Sequence, residues 1–235
     1  MTLLRKIFLA VLILNPGTLL QAQQFELLFQ GGMGSYAMTD LKSFNAQIQR
    51  TLPFETVETD NFPMTVQPGL QFAWQITPKY KLGLKYAYNS TGSRLTTSDY
   101  SGSYYFDNVV TCHTIGIVNS FLLYNWNIVQ LNMETNFGVV SSIMKINENL
   151  QVYDTIVTTA VKYTALGFFV EPRLEASFQW KHLKTGIYAG YFINPWGKLK
   201  NEYGEKTEIK VSWSGIRFGI EIGIGSRSKD HSVRE

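Results

Sequence analysis

Three charged residues stand at every second position of one short stretch, FVEPRLEASFQW, residues 169–180: Glu171, Arg173 and Glu175. Alternate residues of a β-strand point to the same side, so this spacing places acid, base and acid on one face. Carboxylates and a guanidinium arranged in this way form charge-assisted hydrogen bonds with each other. The opposite face is apolar and ends in Trp180. The pattern therefore predicts a network of ion pairs on one side of a strand.

Hydrolytic chemistry has few candidates in this sequence. A serine hydrolase needs a histidine base and an orienting acid, and the histidines are His113, His182 and His231. His113 follows Cys112, and successive residues of a strand point to opposite faces, so these two cannot act as a pair. No metal-ligand spacing occurs either. We therefore expect no enzymatic activity, no catalytic residue, no metal and no cofactor.

The charged stretch is one of eight segments with a strand-like pattern. In most of them apolar residues alternate with small, polar or charged ones, which is the period of a β-strand and not of a helix. An aromatic content of 14% and 19 glycines agree with an all-β chain of this kind. The segments are residues 25–37, 64–77, 81–89, 109–124, 129–139, 159–180, 183–194 and 212–225.

The connections between these segments alternate strictly between short and long. Tight turns at one end and longer loops at the other are typical of a transmembrane β-barrel. The first long connection could contain a short helix at 39–52, with Thr39 or Asp40 as its N-cap. The short connections are 78–80, 125–127 and 181–183, and the long ones are about 38–62, 90–104, 144–157 and 195–208.

Two barrel architectures fit the alternation. A soluble barrel buries its apolar face, whereas a membrane barrel turns that face to lipid and keeps the polar face inside. Small residues and nearly balanced charges on the polar parity favour the membrane barrel, with Arg217, Lys184 and Lys85 as partners of residues 171–175. The predicted lumen network is Glu26, Lys85, Glu134, Glu171, Arg173, Glu175, Lys184, Arg217 and Glu221. The predicted interfacial aromatic girdle, at the short-turn ends, is Trp74, Tyr80, Tyr124, Trp126 and Trp180.

Two prolines lie inside predicted strands. Pro68 and Pro172 have no backbone N–H and so cannot donate to the ladder of a sheet. We expect a β-bulge at each of them, with a break of the strand as the alternative.

The N-terminal residues have the layout of a secretory signal peptide. Arg5 and Lys6 precede a short apolar run, and a small residue, Ala22, stands at a suitable cleavage position. Without Arg5 and Lys6 the formal net charge of +3 falls to +1, which gives no reason to expect nucleic acid as a partner. We expect a signal peptide at 1–22, a barrel domain at 23–225 and a polar tail at 226–235.

Four stretches carry a resemblance to a known family: VQPGLQFAWQIT, VEPRLEASFQW, FQGGMGSY and GIRFGIEIGIG. With them, the chain after the signal peptide resembles the small outer-membrane β-barrel proteins of Gram-negative bacteria (porin-like, OmpA/OmpX-type). The resemblance implies an all-β fold, an eight-stranded antiparallel up-and-down barrel in the cell outer membrane with both termini periplasmic. It also implies contact with outer-membrane lipid and lipopolysaccharide, and with the barrel-assembly machinery during export. Such barrels often end on an aromatic residue, whereas this chain continues into SRSKDHSVRE.

The sequence leaves the role of such a barrel open between structural, adhesive and narrow-pore (porin-like). An eight-stranded barrel has room for little more than its own side chains, which favours a filled lumen. Residues 96–108, rich in Tyr, Ser, Asp and Gly, form a predicted loop suited to contact with an extracellular protein or glycan. The alternatives are an outer-membrane lipid-modifying hydrolase or acyltransferase, and a soluble exported barrel that binds a small ligand.

Overall fold

The computed structural model describes residues 25–100, 102–126, 128–180, 182–195 and 197–225. The predicted signal peptide and the predicted polar tail lie outside these residues. In the described part, one helix, α1 (Thr39–Thr51), accompanies a single sheet of eleven strands. The strands are β1 (Phe25–Gly34), β2 (Val57–Asn61), β3 (Thr65–Thr77), β4 (Tyr80–Ser98), β5 (Gly102–Trp126), β6 (Val129–Val152), β7 (Thr155–Trp180), β8 (Leu183–Phe192), β9 (Lys198–Lys200), β10 (Lys206–Lys210) and β11 (Gly215–Gly225).

Eight of these strands close into a ring. The order around it is β1, β3, β4, β5, β6, β7, β8 and β11, and β11 pairs again with β1. All these pairings are antiparallel, and each ring strand pairs with the ring strands that come before and after it in the sequence. The predicted eight-stranded up-and-down barrel is therefore confirmed. Tight turns connect β3 to β4, β5 to β6 and β7 to β8, as predicted, and each contains two residues where the sequence predicted three.

The ring strands are strongly staggered. Paired residues lead from Gln75 on β3 once around the ring and back to Thr65 on β3, ten residues away. A stagger of this size over eight strands tilts them by about 40° from the barrel axis, and such a barrel is only wide enough for its own side chains. The path runs through Gln75, Lys81, Ser120, Glu134, Arg173, Gly190, Arg217, Gly34 and Thr65.

Four ring strands continue beyond the barrel at the end opposite the tight turns. Pairing of β4 with β5 extends to Ser98, and pairing of β6 with β7 extends to Val152. The predicted loops at 90–104 and 144–157, and the contact loop at 96–108, are therefore wrong, because most of their residues belong to hairpin strands. The sequence prediction ended each strand where the apolar alternation stops, but strands in water do not need that alternation.

The helix α1 lies in the first long connection, as predicted, but the expected N-cap at Thr39 or Asp40 is wrong. Met38 is the N-cap, with φ 44° and no side-chain cap hydrogen bond. Its side chain is fully buried, and its backbone N–H donates to the Ser212 carbonyl at 3.1 Å, so tertiary contacts fix the start of the helix. Among the described residues, no helix has the length and apolar character needed to cross a membrane.

Neither proline is accommodated by the bulge that the sequence predicted. Pro172 stands opposite Thr135 on β6 without any change of register. On the β8 side the ladder is interrupted at Pro172 and resumes at Val170 in the same register. Pro68 stands opposite Gly31 on β1, just before the pairing of β3 with β4 begins. Each proline is paired with a neighbouring strand on one side and unpaired on the other. Its missing N–H therefore costs no ladder hydrogen bond on the unpaired side, and no bulge residue is needed.

Candidate functional site

The lumen of the barrel is the first candidate site, and its half nearest the tight turns is charged. The nine residues that the sequence placed there come from six ring strands, and each is at most 6% exposed. Their strands turn them inward because they lie on the parity opposite to the apolar residues. They are Glu26, Lys85, Glu134, Glu171, Arg173, Glu175, Lys184, Arg217 and Glu221.

Arg173 lies at the centre of this charged half. Its Nε donates to Glu134, which stands directly opposite on β6. Nη1 donates to Gln30 Oε1 at 3.3 Å, Nη2 donates to Gln71 Oε1 at 2.9 Å, and Glu221 Oε2 lies 3.8 Å from Nη2. The fork of one guanidinium therefore joins β7 to four other strands across the barrel.

Lys184 is the centre of a second cluster, closer to the tight turns. Its Nζ lies 2.6 Å from Glu175 Oε1, 3.2 Å from Glu26 Oε2 and 3.6 Å from Glu221 Oε1. Lys81 adds a second cation to Glu26 at 2.5 Å. The sequence prediction omitted Lys81, although it has the same parity as Lys85. With it, five carboxylates face five cations, and this balance lowers the cost of burying them.

The remaining two cations differ from each other. Lys85 Nζ lies 2.9 Å from Glu171 Oε2, as expected for partners across the lumen. Arg217 has no carboxylate within ion-pair distance among the described residues, so its expected pairing with residues 171–175 is wrong. Its guanidinium instead lies over the ring of Phe192, 3.5 Å from the centroid. A cation over an aromatic face is stabilised by the ring quadrupole.

The other half of the lumen is apolar and is covered by α1. Trp213 is 0% exposed, donates from Nε1 to Ser142 Oγ at 2.9 Å and meets the ring of Tyr36 edge-on at 5.0 Å. Leu41 of α1 is also fully buried in this cluster. The predicted charged network therefore occupies only part of the lumen. Trp213 has the same parity as Arg217, and that parity was the signal that could have placed it inside.

The histidine with the best catalytic prospects points away from the lumen. His113 lies on the outer surface, where its Nδ1 is 2.8 Å from the Tyr86 hydroxyl and its ring is 5.3 Å from that of Tyr88. Its chain neighbour Cys112 is fully buried on the lumen side. Within the described ranges, no three His, Cys, Asp or Glu side chains are grouped so that they could hold a metal ion.

The outer surface of the ring is apolar. Ile115, Leu166 and Ile220 are each more than 60% exposed, and similar residues surround them on every ring strand. A barrel with charges inside and hydrocarbon outside is inverted relative to a soluble one. Four of the five aromatic residues predicted at the short-turn end are exposed, and Tyr80 is partly buried with its hydroxyl on Asn119. The exposed four are Trp74, Tyr124, Trp126 and Trp180.

The second candidate site is the sheet that rises above this apolar surface. We call it the protruding sheet; it consists of residues 90–98, 102–111, 143–152 and 155–163. Arg94 donates two hydrogen bonds to Asp107, at 2.5 and 2.7 Å, and these bonds raise the pKa of the Arg94 guanidinium. Tyr104 donates to Glu148 at 3.0 Å, and its burial raises its pKa. These two polar pairs lie on the strands beyond the apolar ring.

The inverted barrel, with tight turns at one end and long hairpins at the other, has the architecture of a small outer-membrane β-barrel. No family model matches the chain, and no curated protein is similar to it in sequence. Solved structures to which the chain is similar include the following three. The outer membrane protein OprG from Pseudomonas aeruginosa matches with 11% identity and a TM-score of 0.47, covering 88% of this chain and 97% of its own.

The attachment invasion locus protein Ail of Yersinia pestis matches with 7% identity and a TM-score of 0.43, covering 86% of this chain and 98% of its own. The outer membrane protease OmpT from Escherichia coli matches with 9% identity and a TM-score of 0.37, covering 87% of this chain and 96% of its own.

Proposed function

We propose that this protein is a non-conducting, non-enzymatic outer-membrane barrel that presents its protruding sheet at the cell surface for adhesive contact. The observation that carries this proposal is the filled lumen. Five glutamates and five cations occupy one half, and the cluster around Trp213 occupies the other. The rigid ring then serves as a scaffold, and the part of the chain outside the membrane makes the contacts.

The porin-like alternative is less well supported by the same geometry. An ion that crossed the lumen would have to displace buried side chains such as Arg173, which is bonded to Glu134, Gln30 and Gln71. Breaking a buried ion pair of this kind costs about 3–5 kcal/mol. The enzymatic alternative has no support from His113, whose partner is the Tyr86 hydroxyl on the outer surface.

The orientation in the membrane is part of the proposal. Phe25 and Gly225 lie at the end with the tight turns, which is supported by the hydrogen bond from the Gly225 N–H to the His182 carbonyl at 2.8 Å. Tight turns face the periplasm in barrels of this class, so both termini are periplasmic after removal of a signal peptide. Lipopolysaccharide and lipid then surround the apolar surface, and the assembly machinery inserts the barrel.

Conductance tests the first half of the proposal. The folded chain, verified by its heat-modifiable mobility on a gel, is inserted into a planar lipid bilayer at 1 M salt, about the strength that reveals weak pores. We expect no unit conductance steps. Steady steps that disappear when the protein is omitted would overturn the non-conducting assignment.

Surface labelling tests the second half. One variant carries Asn147→Cys, at an exposed position of the protruding sheet, and the other carries Lys79→Cys, in a tight turn. The native Cys112 is buried and should not react. On intact cells a membrane-impermeant maleimide should label the first variant and not the second. Labelling of only the Lys79→Cys variant would show that the barrel has the opposite orientation, with the tight turns outside the cell.

A further inference from the structure

The protruding sheet has two edges, and the edge on β4 is covered. The strand β2 pairs with residues 93–96 of β4. Below that pairing, the Phe62 N–H donates to the Gly92 carbonyl at 2.8 Å, and Thr65 Oγ1 donates to the Ser90 carbonyl at 2.6 Å. An exposed strand edge readily pairs with other chains, and a covering segment of this kind prevents it.

The edge on β7 is open. Residues 155–163 pair with β6 on one side, and no described strand pairs with them on the other. The first contact with β9 comes only at Thr164. Ile156 is 61% exposed and Val157 is 54% exposed, so the segment is accessible from both faces. The protein therefore protects one edge of the sheet and leaves the other free.

The open segment has a composition that favours strand pairing. Its sequence is TIVTTAVKY, in which six of nine residues are β-branched and only Lys162 is charged. It contains no glycine, proline or acidic residue, so the usual devices that discourage edge pairing are almost absent. The main-chain groups of such an edge can bind an added strand.

We propose that this edge pairs with the same edge of a second copy of the chain, in an antiparallel arrangement centred on Thr159. In that register Thr159 faces its own copy and Val157 faces Val161 of the other chain. Lys162 faces Ile156, so no like charges stand opposite each other. Cross-strand pairs of β-branched residues stabilise an antiparallel ladder, and a twofold axis lets one surface serve both partners.

The tilt of the strands determines where the second copy lies. Two barrels in one membrane are related by an axis along the membrane normal, so β7 runs downward in both. With tilts of about 40° in opposite directions, the two edges would cross at about 80°. A twofold axis in the membrane plane reverses the strand and makes the edges antiparallel. The pairing therefore joins barrels in two facing membranes, which would hold cells of the same kind together.

This inference rests on the proposed function, since it assigns a partner to the same protruding sheet. Its first test is a disulfide bond between the two copies at the twofold axis. Residues opposite each other in an antiparallel ladder have Cα atoms about 4.5–5.5 Å apart, which suits a disulfide. Thr159→Cys, folded in detergent micelles and mildly oxidised, should give a covalent dimer. Thr96→Cys, on the covered edge, is the matched control and should stay monomeric, and Cys112 is buried in both variants.

A charge exchange gives the second test. One variant carries Val157→Lys with Val161→Lys, and the other carries Val157→Glu with Val161→Glu. Each alone places like charges in both cross-strand pairs, and we expect each to weaken dimerisation by about tenfold or more in analytical ultracentrifugation. An equimolar mixture of the two should dimerise again, because every pair then joins opposite charges. Charged variants that dimerise like the wild type would overturn the proposal.

A vesicle experiment tests whether the pairing joins barrels in two facing membranes. Phosphatidylcholine vesicles that contain the wild-type chain should tether each other, measured as an increase in scattered light, and vesicles with either charged variant should not. A wild-type chain that stays monomeric and leaves vesicles dispersed would overturn self-pairing and leave the edge to a strand of another protein. These results are independent of bilayer conductance, so a pore would defeat the proposed function without deciding this test.

Discussion

Arg217 and Phe192 mark the boundary between the two halves of the lumen, with the guanidinium 3.5 Å from the centroid of the phenyl ring. Along the chain Trp213 of the apolar cluster precedes Arg217 and the buried Glu221 follows it, so the two halves of the lumen lie on either side of this contact. Nε and Nη2 of Arg217 have no hydrogen-bond partner among the described residues. The cation–π contact therefore stabilises a buried charge at the level where ion pairs give way to hydrocarbon.

The two buried arginines should respond differently to the same substitution. Arg173→Met leaves Glu134 buried without its cation, and we expect a loss of about 3–5 kcal/mol in the free energy of unfolding. Arg217→Met removes a guanidinium that has unpaired donors and keeps the packing on Phe192. We expect that change to cost less than about 1.5 kcal/mol. Urea unfolding in lipid vesicles, followed by tryptophan fluorescence, measures both.

Equal losses for the two variants would contradict this assignment of the ion-pair network. An exposed arginine provides the baseline, since Arg94→Met breaks only the surface pair with Asp107. Its cost should stay below about 1 kcal/mol.

Two adjacent glycines of β1 should also differ. A Cβ on Gly32 would overlap the Tyr188 hydroxyl and lie 2.8 Å from the Phe218 carbonyl oxygen, whereas a Cβ on Gly31 would meet nothing within 4 Å. We expect Gly32→Ala to destabilise the barrel by about 1–3 kcal/mol through overpacking. Gly31→Ala should be close to neutral. The midpoint of thermal unfolding, read as the temperature at which the folded gel band disappears, compares the two, and equal midpoints would place Tyr188 elsewhere.

The sequence predicts which side of a strand a residue faces far better than which partner it meets. The parity that placed Glu175 in the lumen is a local property of consecutive residues. Its partner Lys184 also binds Glu26, 158 residues earlier, and only the closure of the ring brings these residues together. The apolar alternation ends where the barrel leaves the lipid, so it could not indicate that residues 144–152 and 155–157 belong to strands. Met38 could not be predicted as an N-cap because tertiary burial holds it there.

Trp213, in the apolar half of the lumen, should matter for the stability of the barrel and not for keeping the lumen closed to ions. Trp213→Ala removes a fully buried ring, and we expect a loss of about 3–5 kcal/mol in the free energy of unfolding. Trp180→Ala, whose side chain is 73% exposed at the lipid interface, should cost less. Both variants should remain non-conducting in planar bilayers, because the charged half still fills the lumen. Conductance in the Trp213 variant alone would assign the closure to the apolar half.

A charge on the outer surface tests the membrane assignment directly. Ile220 is 64% exposed in the middle of β11, where the surface faces the bilayer core in the proposed orientation. Ile220→Arg should lower the free energy of unfolding in vesicles by about 2–4 kcal/mol, because the guanidinium must enter hydrocarbon. Asn147→Arg, at an exposed position of the protruding sheet, should be neutral under the same conditions. If Ile220→Arg were equally neutral, water would contact that surface and the barrel would be a soluble one.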